Sequence, residues 1–166
     1  MKKNNKMLIS AAAALLLSIA HAADTPELRE GLWSIHTQSI DNPGNQKSES
    51  TRTICRNHAY DKSVGALAKT AMKGCTIVNE SVQGGKTYSE VHCVVGGITI
   101  NTKGTGTYAG DMSTHSEVHT TYSPAFAGMS ESTMIMDQKY IGSCPAGAQP
   151  GDQTDAGGTV THLGKR

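Results

Sequence analysis

The chain has 166 residues, with 15 Lys plus Arg against 14 Asp plus Glu for a formal charge of +1, and is 37% hydrophobic but only 4% aromatic. That length suits one domain, the balanced charge leaves no basic footprint for nucleic acid, and the apolar content is too high for a wholly disordered chain. With 18 Gly, 18 Thr and so few aromatics, the composition points to a small β-rich domain with a modest core.

The first 22 residues stand apart. Lys2, Lys3 and Lys6 make a basic start, residues 7–20 are largely apolar, and Ala20-His21-Ala22 forms an A-x-A cleavage site. Together they predict a secretory signal peptide removed after Ala22, since an apolar run of 14 residues falls short of the roughly 20 needed to span a bilayer. Cleavage leaves 12 basic against 14 acidic residues, a charge of −2. No Cys stands at the cleavage site to carry a lipid, and no later stretch is long and apolar enough to span a membrane. The expectation is one soluble domain over residues 23–144, in the periplasm or secreted.

After an exposed leader at 24–30, Gly31 to Ile40 has the pattern of a first strand, which turns through Asn42-Pro43-Gly44-Asn45 into a second over 47–56. Placing Trp33 opposite Cys55 keeps Trp33 and Ile35 on the buried face. A helix follows over about 58–73: Asn57 caps it, Val64, Leu67, Ala68, Ala71 and Met72 recur at helical spacing as a core-covering stripe, and Gly74 stops it.

All four cysteines, Cys55, Cys75, Cys93 and Cys144, survive cleavage, and an even count in a small exported domain implies two disulfides. There is no C-x-x-C, and spacings of 20, 18 and 51 match no zinc pattern. Residues 75–93 read as a hairpin around Gly84-Gly85. A three-residue loop Gln83-Gly84-Gly85 sets Val82 opposite Lys86 and Cys75 opposite Cys93, within disulfide reach at a Cα separation of about 4.5 to 5.5 Å. Elimination pairs Cys55 with Cys144.

From Cys75 onward the chain predicts a β-meander. A Gly96-Gly97 turn pairs Val95 with Ile98, Cys93 with Ile100 and Val91 with Thr102. An Ala109-Gly110-Asp111 loop pairs Tyr108 with Met112 and Thr102 with Val118, and the last strand, 129–141, sets Val118 near Met134 and Met112 near Tyr140. Glu90, Lys103 and Glu117 then form a charge row on the opposite face, with unlike charges across adjacent strands. About seven antiparallel strands of this kind twist and curl. The fold class expected is mainly β: an antiparallel meander forming a half-barrel or barrel, with the helix inserted after the second strand. The tail at 145–166, rich in Gly, Pro, Asp, Gln and Thr without period, reads as disordered.

The chain resembles the exported bacterial proteins grouped as domain of unknown function 3617. The resemblance rests on Gly31-Leu32-Trp33 opening the first strand after a signal peptide, Thr53-Ile54-Cys55 closing the second, the Cys75 and Cys93 hairpin, alternating Thr/Met strands and a closing Gly142-Ser143-Cys144. It spans about residues 26–144. The closing motif in that family often has an acidic residue where this chain has Ser143. The resemblance implies no reaction, cofactor or catalytic residue.

Three kinds of chemistry remain. The concave face, with Trp33, Ile100, Tyr108, Val118, Tyr122, Met134, Met136 and Tyr140, would hold an apolar small molecule, a lipid or a protein segment, since ligand pockets are mostly apolar with a few polar groups; the same side chains would equally fill a core. His115-Ser-Glu-Val-His119 is not the helical H-E-x-x-H of zinc enzymes. On a strand its two His stand about 13 Å apart, so a metal would need Asp137 near His115, and Asn101 near His119, from neighbouring strands. Met134 and Met136 share a face and would suit Cu(I), or simply fill the core. Covalent catalysis finds no G-x-S-x-G elbow and no reduced Cys, so an enzyme is not expected and no cofactor is called for; a small hydrolase, the third alternative, would need two or more polar groups convergent in the cavity.

Overall fold

A computed structural model describes residues 26–163 except 73; the expected signal peptide, 1–22, lies outside the described residues. The elements run β1 (Gly31–Asn42), β2 (Gln46–Arg56), α1 (His58–Ala71), β3 (Cys75–Gln83), β4 (Lys86–Val95), β5 (Ile98–Ala109), β6 (Ser113–Phe126), β7 (Met129–Gly142), β8 (Asp152–Asp155) and β9 (Val160–His162). All the strands join one antiparallel sheet in the order β3-β4-β5-β6-β7-β1-β2-β8-β9. The sheet is open, with β3 and β9 at its edges, so of the two shapes expected the half-barrel is the one adopted. Among the described residues, no helix is long and apolar enough to cross a membrane.

β1 sits in the middle of this order because it pairs with β7 as well as β2. Two glycines make the β1–β7 contact possible. Gly31 has φ +139, and a Cβ there would stand 2.5 Å from the Gly142 carbonyl oxygen and 2.8 Å from the Tyr140 ring; Gly142 has φ +146. Only glycine adopts such backbone without strain, and the ladder bulges beside it, between Leu32 and Trp33. Glycine is therefore required at both ends of the motif pair Gly31-Leu32-Trp33 and Gly142-Ser143-Cys144.

The registers agree with the sequence reading in part. β4–β5 holds as expected, with Val95 opposite Ile98 and Cys93 opposite Ile100, and β6–β7 sets Val118 opposite Met134. The β3–β4 turn has two residues rather than three, pairing Gln83 with Lys86, and a bulge between Ile77 and Asn79 restores Cys75 to its place opposite Cys93. β5–β6 is shifted by two residues: Tyr108 faces Thr114, and Thr102 faces Thr120. A shift of two leaves every side chain on its expected face but removes Glu117 from the charge row, so Lys103 faces Glu90 and His119 instead. In β1–β2 it is Leu32 that faces Cys55, while Trp33 faces Ile54, which puts Ile54 rather than Cys55 on the inner face.

Both disulfides form as expected. Cys75–Cys93 bridges neighbours with a Cα separation of 4.0 Å, and Cys55–Cys144 spans 89 residues at 5.5 Å. The described residues contain no free cysteine.

The core gathers where β1, β2 and β7 meet. Trp33, fully buried, packs with Ile35, Ile54 and Met136, and Leu28, Tyr60 and Tyr140 close over them. Trp33 donates its Nε1–H to the Arg29 carbonyl at 2.8 Å and meets Tyr140 edge-on at 6.1 Å. The leader is thus not wholly exposed: Leu28 joins the core, and Arg29 pairs with Asp111 at 3.0 Å. The Asn57 side chain caps α1 by accepting from the Tyr60 N–H at 2.8 Å, and Arg56 grips the first turn through Asp61 at 2.9 Å. Beyond that turn α1 is lightly held. Only Ala68 is buried, Leu67 is 48% exposed, and no strand packs broadly along the helix.

The tail is a correction. Expected to be disordered over 145–166, it instead forms β8 on Arg52–Ile54 of β2, with β9 beyond. Its composition carries no strand period, yet three local devices order it. Cys144 is tied to Cys55 beside the β2 edge, the buried Gly151 donates its N–H to the Cys55 carbonyl at 2.7 Å, and Asp155 Oδ1 accepts from the N–H groups of Gly157 and Thr159, both at 2.9 Å, to shape the final turn.

Candidate functional site

The candidate site is the inner face of the sheet, and the registers lay it out in rows. One row runs Arg52, Ile35, Gln138, Thr114, Tyr108 across β2, β1, β7, β6 and β5. The next runs Ser50, Thr37, Met136, Ser116, Gly106, Thr87 and reaches β4. A third carries Ser39, Met134, Val118 and Gly104. Tyr122 and Ile100 pair further along, and Trp33 pairs with Tyr140 at the other end. All eight residues expected on the concave face therefore share one face. Trp33, Val118, Tyr122, Met134 and Met136 are buried on it, while Ile100, Tyr108 and Tyr140 are half-buried.

Polar groups on this face fall into two sets. Ser39 and Ser48 bond at 2.7 Å, Thr102 and Thr120 at 3.3 Å, and Tyr122 and Ser132 at 3.4 Å. By contrast, the hydroxyls of Thr37, Thr87 and Thr114 are buried and have no hydrogen-bond partner. All three lie in the first two rows. The absence of a side chain at Gly106 leaves room for one of them, because a Cβ there would stand 2.6 Å from Thr87 Oγ1. An unpaired buried hydroxyl costs about 1–3 kcal/mol, which calls for an explanation.

The charges on this face are also unequal. Arg56 is fully engaged: it pairs with Asp61, donates to Gln138 Oε1 at 3.1 Å and lies 5.1 Å over the Trp33 ring. Burial holds the Asp61 carboxyl above its ordinary range, with Arg56 pulling it down. Burial likewise raises the phenols of Tyr60 and Tyr108, and in both the Arg56 charge opposes the rise. Tyr108 stands four strands from β2, which in a flat sheet would be about 19 Å; the curl of the sheet is what lets Arg56 act on it. Burial lowers Arg52, against the Tyr60 phenolate charge.

The outer face is polar and paired. His115 Nδ1 bonds Asp137 at 2.7 Å, as the spacing suggests. His119 bonds Thr133 at 3.2 Å, not Asn101, whose partner is His92 at 2.7 Å; the two-residue shift of β5–β6 is the reason. His36 faces Asp137 from β1, so Asp137 lies between two His, yet His36 bonds Thr51 and Glu49 on its other side. Among the described residues no three His, Cys, Asp or Glu side chains are arranged to hold a metal. A half-open groove of about 360 Å³ on this face is lined by Gln38, Ile40, Lys47, Glu49, Thr133 and Ile135, with Ser39 and Ser48 at its side.

Compared with known proteins, residues 28–144 match the family described as Protein of unknown function (DUF3617). The chain belongs to the DUF3617 family. The match ends at Cys144, so β8 and β9 lie beyond the matched DUF3617 region. No curated protein matches the chain.

Within the DUF3617 region, sequence reasoning found the apolar members of the inner face and missed Arg52, Thr37, Thr87 and Gln138. The signal for the threonines was present, since each alternates in phase with an inward apolar residue: Thr37 with Trp33 and Ile35, Thr87 with Val91. Arg52 carried no such signal, because the one-residue error in the β1–β2 register put it on the wrong face.

Proposed function

We propose that this protein is an exported, periplasmic or secreted binding module. The inner face of the curled sheet accepts the apolar part of a small molecule or chain, and α1 is the cover that parts to admit it. One observation carries the reading: the buried hydroxyls of Thr37, Thr87 and Thr114 lack partners on a face whose buried side chains are mostly apolar. A few polar groups in a mostly apolar lining are the usual make-up of a ligand site. The light packing of α1 supports the role of cover, and the disulfides suit an oxidising compartment. Native mass spectrometry of protein purified from the periplasm tests the reading. A non-covalent adduct released on denaturation is expected, and a consistently bare mass would overturn it.

A second reading, metal handling on the outer face, is favoured by the placing of Asp137 between His36 and His115. It requires the His36 side chain to leave Thr51 and Glu49 and turn toward Asp137. Isothermal titration with Zn(II) and Cu(II) tests it; affinity equal to that of a His36→Ala, His115→Ala variant ends it.

A further inference from the structure

Arg52 differs from Arg56, the other arginine of the inner face, which is paired with Asp61. Arg52 lies directly opposite Ile35, half-buried beside the Trp33, Ile35, Ile54 and Met136 core, and it makes no hydrogen bond or ion pair among the described residues. The carboxylates around it form no ion pair with it. Asp61 is held by Arg56. Asp155 faces Arg52 from β8, but its Oδ1 takes the Gly157 and Thr159 amides and no ion pair with Arg52 forms. Asp41 lies on β1 six residues from Ile35, about 20 Å along the strand. A half-buried arginine without an acid is costly to keep, and its planar fork is suited to grip a carboxylate or phosphate in two places.

We propose that Arg52 receives the oxyanion head group of an amphiphile whose apolar chain lies along the inner face past Met136, Met134 and Val118. The inference rests on the binding-module reading and names its ligand class. The Thr37 hydroxyl, on the neighbouring strand β1 and one row along from Arg52, is the unpartnered donor that completes the head-group site. The layout of the face agrees: the unpaired Arg52 guanidinium stands at one end, whereas Asp41 and the Tyr122–Ser132 bond occupy the other. The tail therefore points away from Arg52 and over the methionines.

The test is titration of the mature protein with three amphiphiles of equal chain length: palmitate, a 1-palmitoyl lysophosphatidic acid and hexadecanol. The acids should bind about 10- to 100-fold more tightly than the alcohol, as a charge-assisted contact implies. The two acids compared with each other show whether carboxylate or phosphate monoester is the preferred source. In Arg52→Met the acids should fall to the level of the alcohol while hexadecanol binding is unchanged; Arg52→Lys should retain only part of the preference. Equal binding of acid and alcohol to the unsubstituted protein, or a preference that survives Arg52→Met, overturns the role of Arg52 and leaves the binding module standing. Binding of none of the three overturns both. Should Arg52→Met fail to fold, the acid-to-alcohol ratio and the lysine variant still decide.

Discussion

The two faces of one sheet treat their polar groups in opposite ways. On the outer face, where water would satisfy any group at little cost, the polar side chains pair across strands: His115 with Asp137, His92 with Asn101, Lys103 with Glu90, His36 with Thr51 and Glu49. On the inner face, where an unpaired group is expensive, three buried threonine hydroxyls have no partner, and the half-buried Arg52 forms no ion pair among the described residues. Cross-strand pairing on a solvated surface specifies register more than it stabilises, because exposed pairs contribute only up to about 1 kcal/mol. Unpaired groups in a buried setting persist only if something other than stability retains them. The contrast is what supports the proposal of a binding site on the inner side.

The largest test of this contrast concerns the bridges that secure the two sides. Cys75–Cys93 lies on the inner face near the β3 edge, and Cys55–Cys144 ties the outer side of β2 to the end of the family region. By loop-closure entropy, replacing the pair Cys55 and Cys144 with Ser should cost about 4 to 5 kcal/mol, and replacing Cys75 and Cys93 about 3 kcal/mol. Denaturant unfolding of the two variants reads the order directly. A smaller loss for the longer loop would show that strain or residual structure, not closure, sets their worth.

Next comes the space over Gly106. Gly106→Ala should destabilise by about 1–3 kcal/mol, because the new methyl would meet Thr87 Oγ1 at 2.6 Å. Adding Thr87→Ala should recover most of that loss, a coupling that a double-mutant cycle measures. Additive losses would mean that the Thr87 hydroxyl does not lie over Gly106.

The hydroxyls themselves give a smaller effect of opposite sign. Thr37→Val or Thr114→Val removes an unpartnered buried group and should stabilise the unliganded protein by about 1 kcal/mol, whereas His115→Ala on the outer face should cost less than about 1 kcal/mol. Thermal unfolding of the three variants checks the signs. A destabilising valine would erase the difference between the faces.

The smallest effect belongs to the tail. The Asp152 carboxyl lies below its ordinary value of 3.8 because the Gln149 N–H and the His162 ring donate to it. Its contribution is thus fully present above that ordinary value and is lost as the pH falls through the lower folded-state one. Amide exchange in β8 and β9 should quicken at acid pH before exchange in β4 to β7 does; simultaneous loss would show that the tail is no looser than the sheet.

Much of the fold was legible because its signals are local. Alternation with period two assigned Val91, Val118, Tyr122, Met134 and Met136 to one face, glycine pairs marked the turns, and Asn57 marked the helix start. The Cys75–Cys93 pairing came out right although the turn was one residue too long, since the bulge after Ile77 offset it. Partner choice was less legible: a two-residue slip such as that in β5–β6 changes neighbours without changing faces, so nothing in the hydrophobic pattern detects it.

What the amino-acid order alone determined is which face the residues of β1 and of β4 to β7 take, near which glycines those strands turn, and that the cysteines pair as they do. Only the tertiary structure decided that β1 would join β7 through the Gly31 and Gly142 approach, that the tail would add two strands beyond β2, and that Arg52 would lie inward without an ion pair. The reason is physical. Facing is set by the pleat within a few residues, whereas these three features depend on how far a nine-stranded sheet curls and on which edges its connections can reach.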